Sequence, residues 1–129
     1  MSDYTFSRTL DADFATADAR TREALADAGF GVLTEIDMAA TFKKKLDVDI
    51  PAYRILGACN PPLAHKAVQA EPRIGAMLPC NVILRDVGEG KTEVSAVDPV
   101  ASMAAIENDA LGAVAQEVRQ RLQDVIVAL

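Results

Sequence analysis

Apolar and polar residues alternate from the start of the chain. Tyr4, Phe6, Arg8 and Leu10 are separated by Thr5, Ser7 and Thr9, the period-two pattern of a strand with one largely apolar face. Asp11 or Asp13 can cap a following helix, along which Phe14, Ala17, Ala24, Leu25 and Ala28 recur at roughly helical spacing until Gly29 ends it. Gly31 to Ile36 reads as a second strand, and Asp37 then caps a short helix or turn, Met38 to Leu46. Tyr53 to Ala58 is a third, nearly continuous apolar strand. Asn60-Pro61-Pro62 stops it and starts a helix, Leu63 to Ala70, which Pro72 closes. Pro79-Cys80 leads into a fourth strand through Val82-Ile83-Leu84. The Val87 to Lys91 stretch is a hairpin turn, and Thr92 to Val97 returns as a fifth strand before Asp98-Pro99 breaks it. Gly88-x-Gly90 belongs to that turn; it has neither the following helix nor the fuller glycine pattern of a phosphate loop.

The last segment is the most regular. Leu111, Val114, Ala115, Val118, Leu122, Val125, Ile126 and Leu129 form one apolar stripe, with Glu117, Arg119, Gln120, Arg121, Gln123 and Asp124 on the other side and Asn108 or Asp109 as the cap. The order of elements predicts an α+β fold: a five-stranded, mainly antiparallel sheet with two long helices on one face and short helices inserted after the second and third strands. Residues 1–129 are read as one domain. With the second to fifth strands as meander neighbours, Cys59, Cys80 and Asp98 fall at one end of the sheet. Lys43 to Lys45 and the Gly88 to Lys91 turn fall at the other. Val82, Leu84 and Val94 are expected on the helix-covered face. Ile83, Val87 and Val97 share the other parity, and a homodimer is expected to bury them.

Composition narrows the function classes. Half of the residues are hydrophobic and a quarter charged, as in an ordinary globular protein. A net charge of −6 opposes binding to a phosphate backbone, and three consecutive lysines are too few to reverse it, so no nucleic-acid partner is expected. No apolar run is long enough to suggest a membrane span, and the N-terminus lacks a basic region followed by an apolar core; the chain is expected to be cytoplasmic, with no membrane partner.

The candidate chemistry lies between Tyr53 and Cys80, which contains both cysteines. With Cys59 where one strand ends and Cys80 where the next begins, the two thiols are expected to face each other, either as a redox pair able to form an intramolecular disulfide or as two soft ligands for a metal or a sulfur species, and so to bind or process a reactive small species. Packing in the core is the plain alternative, because free cysteine behaves as a small apolar side chain. His65 is the third catalytic candidate, as the only side chain with an ordinary pKa near neutrality, although a surface position is the simpler reading. Asn60, Asp98, Lys44 and Glu35 are the candidate ligand-binding residues. A complete zinc site would require His65 and Asp98 to join the thiols; neither metal nor cofactor is expected. The functional alternative is a non-catalytic module with structural cysteines that binds a small apolar ligand, or a second subunit, using a cavity between the sheet and the long helix or the uncovered sheet face.

Four ordered motifs carry a family resemblance: Gly29-Phe30-Gly31-Val32-Leu33-Thr34-Glu35-Ile36-Asp37, Thr41-Phe42-Lys43-Lys44-Lys45-Leu46, Ile55-Leu56-Gly57-Ala58-Cys59-Asn60-Pro61, and Leu78-Pro79-Cys80-Asn81-Val82 with Asp98-Pro99. With these the chain resembles the bacterial and archaeal family catalogued as domain of unknown function 302. The resemblance implies a compact α+β fold, similar to the TATA-binding-protein-like or helix-grip arrangement and often dimeric. It implies no activity and carries over no catalytic residue.

Overall fold

The structure, a computed structural model, describes residues 3–129; Met1 and Ser2, with which the expected domain begins, lie outside the described residues. Five strands, β1 (Thr5–Leu10), β2 (Gly31–Asp37), β3 (Tyr53–Cys59), β4 (Cys80–Gly88) and β5 (Lys91–Val97), form one antiparallel sheet in the order β1-β5-β4-β3-β2. β2 to β5 are a meander, the arrangement assumed in placing Cys59, Cys80 and Asp98 at one end of the sheet. β1 pairs with β5, Thr5 opposite Val97 and Leu10 opposite Thr92, which places the start of the chain beside its fifth strand. Two long helices, α1 (Phe14–Asp27) and α5 (Asp109–Ala128), cover the same face.

Caps set the helix boundaries. The Asp13 side chain accepts from the Thr16 N–H at 2.8 Å to open α1, and Asp37 accepts from Ala40 at 2.8 Å to open α2 (Met38–Leu46). Asn108 does the same for α5, accepting from Leu111 at 3.1 Å. Gly29, at φ 88°, supplies the left-handed turn after α1.

The parity expected from the strands holds. Val82, Leu84, Val94 and Ala96 are fully buried under the helices. The main core joins them to Leu25 of α1 and to Leu122, Val125 and Ile126 of α5. On the opposite face Arg85 and Glu93 form an ion pair at 2.8 Å among Tyr53, Ile83 and Val97; the expected homodimer concerns this surface.

Two elements were not anticipated. A 3-10 turn (Pro72–Met77) follows α3 (Pro61–Ala70), and a four-residue α4 (Pro99–Ser102) follows β5. Together with the first half of α5 they build a second, smaller cluster: Ala67, Ile74, Met103, Leu111 and Ala115. This cluster stands beyond the end of the sheet where β3 and β5 finish and β4 begins. None of the described helices is long and apolar enough to cross a membrane.

Candidate functional site

Between the main core and the smaller cluster lies a cavity of about 290 Å³. The sheet contributes Ala58, Cys59 and Cys80, α3 contributes Leu63, Ala64 and Ala67, and α5 contributes Leu111, Val114, Ala115 and Val118. Leu33 stands at its rim. It is the extra residue of a bulge in β2, where Val32 pairs with Ala58 and Thr34 with Gly57, and it is 66% exposed. A larger hollow of about 780 Å³ lies between the ends of α1 and α5, lined by charges of both signs, including Arg20, Glu23, Asp27, Arg121 and Asp124.

Register decides what the cysteines can do. Cys80 faces Ala58 across the β3–β4 pair, whereas Cys59 pairs with Gly31 of β2. The expected facing thiol pair is therefore corrected: both cysteines are free, and they border one cavity without being cross-strand partners. The physical reason is the two-residue period of a strand. Leu56 and Ala58 must lie with Cys80 and Val82 on the buried face, and a register with Cys59 opposite Cys80 would turn the whole apolar set of β3 outward. No facing pair exists from which the expected intramolecular disulfide would form.

The two thiols also differ electrostatically. Burial, with a smaller contribution from the charge of Cys59, pushes the Cys80 pKa up to about 11. Its thiolate is then scarce at neutral pH, while the half-buried Cys59 stays within reach of solvent. Titration with an uncharged thiol reagent at pH 8 is expected to modify one thiol per chain quickly, at Cys59, and the second only after unfolding. Fast labelling of a Cys59→Ser variant would contradict this. The raised value also has a sign for stability: the folded chain holds the Cys80 proton after the unfolded chain has released it, so this contribution is intact below about pH 9 and is lost as pH rises towards about 11.

The other candidate residues scatter. Asn60 lines the cavity and caps α3, its side-chain oxygen accepting from the Leu63 N–H at 3.2 Å. Asp98 is buried but committed: it caps α4 through Val100 at 2.9 Å and accepts from Arg119 Nε at 3.2 Å, and it does not line the cavity. His65 is exposed on α3, pointing away from the cavity wall. Lys44 is exposed on α2 at the opposite end of the sheet. Glu35 belongs to an ion network, 3.0 Å from Arg22 and 3.1 Å from Arg54. Arg54 also reaches Asp18 at 2.8 Å and stacks over the Phe14 ring. Burial alone would raise the Asp18 pKa, but hydrogen bonds from Arg22 and Arg54 outweigh it and hold the carboxyl below its ordinary range. That network ties α1 to β2 and β3 and is separate from the cavity.

The sequence reading did not assign Leu63, Ala67, Met103 or Pro79 to a site. Leu111, Val114, Ala115 and Val118 carried a signal, since all fall in the apolar stripe of α5; Val114 and Val118 are merely half-buried, Val114 packing against the smaller cluster and Val118 against the main core while both border the cavity. Among the described residues no group of three or more His, Cys, Asp or Glu side chains is placed to hold a metal ion.

Comparison with known proteins gives the fold a precedent. A crystal structure of an uncharacterized conserved protein DUF302 from Bacillus stearothermophilus superposes with a TM-score of 0.90 at 22% identity, covering 98% of each chain. No curated protein matches the chain. The family model described as domain of unknown function DUF302 matches residues 6–129, nearly the whole length, and on that match the chain belongs to the DUF302 family.

Proposed function

We propose that this protein binds a small apolar molecule in the cavity between the sheet end, α3 and α5. The observation that carries the reading is the chemistry of the wall: of all the lining side chains only Asn60 bears a nitrogen or oxygen atom, and none is a carboxylate, an amine, a guanidinium or an imidazole. A wall of this kind gains affinity by removing apolar surface from water, at about 25 cal/mol per Å². Apart from the two thiols it offers no general acid or base, which favours binding over proton-transfer catalysis. The exposed Leu33 at the rim extends the apolar surface outward, as an entry for such a ligand requires. The two thiols fit the same reading as weakly polar, adaptable wall atoms.

The test is a titration with the neutral fluorophore N-phenyl-1-naphthylamine. Saturable fluorescence with one site per chain is expected, and Val114→Phe, which fills the cavity from its half-buried side, is expected to weaken binding by about tenfold or more. Undiminished binding by a folded Val114→Phe protein would move the ligand elsewhere and sink the proposal.

A further inference from the structure

The hollow between the ends of α1 and α5 holds charges that the described residues leave unneutralised. Arg20, Glu23 and Asp27 line it from α1 and form no ion pair with any described residue. On α5, Asp124 accepts a hydrogen bond from Gln120 at 3.1 Å, while Arg121 reaches the Ala28 carbonyl at 3.3 Å and the exposed Glu117 at 3.8 Å. Gly29 lines the same hollow. A Cβ on it would stand 3.1 Å from Asn60 Nδ2 and 3.5 Å from Arg121 Nη1, so two N–H donors from different elements converge beside a residue with no side chain.

Asn60 is 7% exposed, and its Oδ1 is taken by the Leu63 N–H, which leaves the amide nitrogen as the free donor. That nitrogen has no acceptor among the described residues and is not fully enclosed, so an oxygen of a bound molecule can relieve the unpaired donor. Arg121 beside it makes the pair suited to a carboxylate. The rest of the hollow favours a cation. Neither α1 nor α5 has a basic residue in its last turn, and both present their C-terminal halves here, so the negative ends of two helix dipoles add to Glu23, Asp27 and Asp124. A phosphate dianion would be repelled by those three carboxylates; a molecule with one carboxylate and one ammonium group meets both kinds of wall.

We infer that this hollow binds a small zwitterion, its carboxylate held by Arg121 and Asn60 Nδ2 beside Gly29 and its ammonium group by Glu23 and Asp27. Packed helix axes lie roughly 8–10 Å apart, so a ligand bridging α5 and α1 carries its two charges several ångströms from one another. Asn60 borders both spaces, but the charged residues line only this one, and the inference stands whether or not the other cavity takes an apolar molecule.

Calorimetric titration with three probes of equal chain length tests this: 6-aminohexanoate, hexanoate and hexylammonium. The zwitterion is expected to bind about tenfold tighter than either singly charged probe. Arg121→Gln, Asn60→Ser and Asp27→Asn are each expected to weaken it by roughly five- to tenfold; Asn60→Ser keeps an oxygen to cap α3 while removing the amide donor, and Asp27 is exposed and takes part in no ion pair of the described residues. Since Arg121 also holds the Ala28 carbonyl, the decision rests on the other two variants should Arg121→Gln not fold. Undiminished zwitterion binding by a folded Asn60→Ser or Asp27→Asn protein overturns the inference. So does hexanoate or hexylammonium binding as tightly as 6-aminohexanoate, or the absence of zwitterion binding at millimolar concentration.

Discussion

Leu122→Ala is expected to destabilise the protein by about 2–5 kcal/mol, the range for deleting a buried leucine side chain whose surroundings close only partly over the gap. Leu122 has no exposed surface and sits in the main core with Leu25, Leu84 and Val94, where α5 crosses the sheet between α1 and β5. Gln120, two positions earlier on the same helix, is exposed and makes one hydrogen bond, to Asp124 at 3.1 Å. Gln120→Ala is therefore expected to cost no more than a few tenths of a kcal/mol. Urea melts of the two variants check the contrast: the midpoint falls for Leu122→Ala at an unchanged slope and barely moves for Gln120→Ala. Equal losses would mean that α5 does not pack through this face.

Gly57→Ala is expected to cost about 1–3 kcal/mol or more, from crowding instead of from a cavity. Gly57 lies inside β3, opposite Asn81 of β4 and Thr34 of β2. A Cβ there would overlap the Thr34 hydroxyl and come within 2.7 Å of the Pro79 ring. Thr34 can rotate away, but Pro79 is a ring fixed in the chain between Leu78 and Cys80, and all three line the cavity. The substitution should therefore push this wall outward, so probe binding falls along with the melting temperature. A Gly57→Ala protein with unaltered melting temperature and probe affinity would refute the close approach of Pro79 to β3. The same addition at Gly31, where nothing lies within 4 Å of the new atom, serves as a control expected to change little.

Gly57 also shows how far a sequence can be read. A glycine inside a strand pattern signals a bulge or a close approach of another segment, and here both occur, with the β2 bulge beside it and Pro79 above it. The glycine was visible; its neighbours were not. The same holds for Asn60, legible as the residue that ends a strand and caps a helix, whereas its place in the cavity wall depends on where α3 and α5 lie. Val114 and Val118 fit the helical stripe, but no periodicity tells whether a stripe residue meets a sheet or an empty space.

The sequence by itself determined the five strands and the helices α1, α2, α3 and α5 in their order, the α2 cap at Asp37, the α1 and α5 caps to within a pair of residues each, and the face on which Val82, Leu84 and Val94 are buried. These follow from forces that act over a few residues: side-chain period, proline and glycine geometry, and short-range capping. Only the tertiary structure decided the rest. It set the β3–β4 register by the demand to bury Leu56 and Ala58, and so placed Cys80 opposite Ala58 and parted the expected thiol pair. It sent Glu35 into an ion network with Arg22 and Arg54, and bound Asp98 to Arg119. It also folded the stretch from α3 to the 3-10 turn and the loop after β5 into a second small cluster, leaving a cavity at the seam. Such outcomes are set by packing between segments far apart in the chain, where the burial of one apolar set fixes the position of every polar group attached to it.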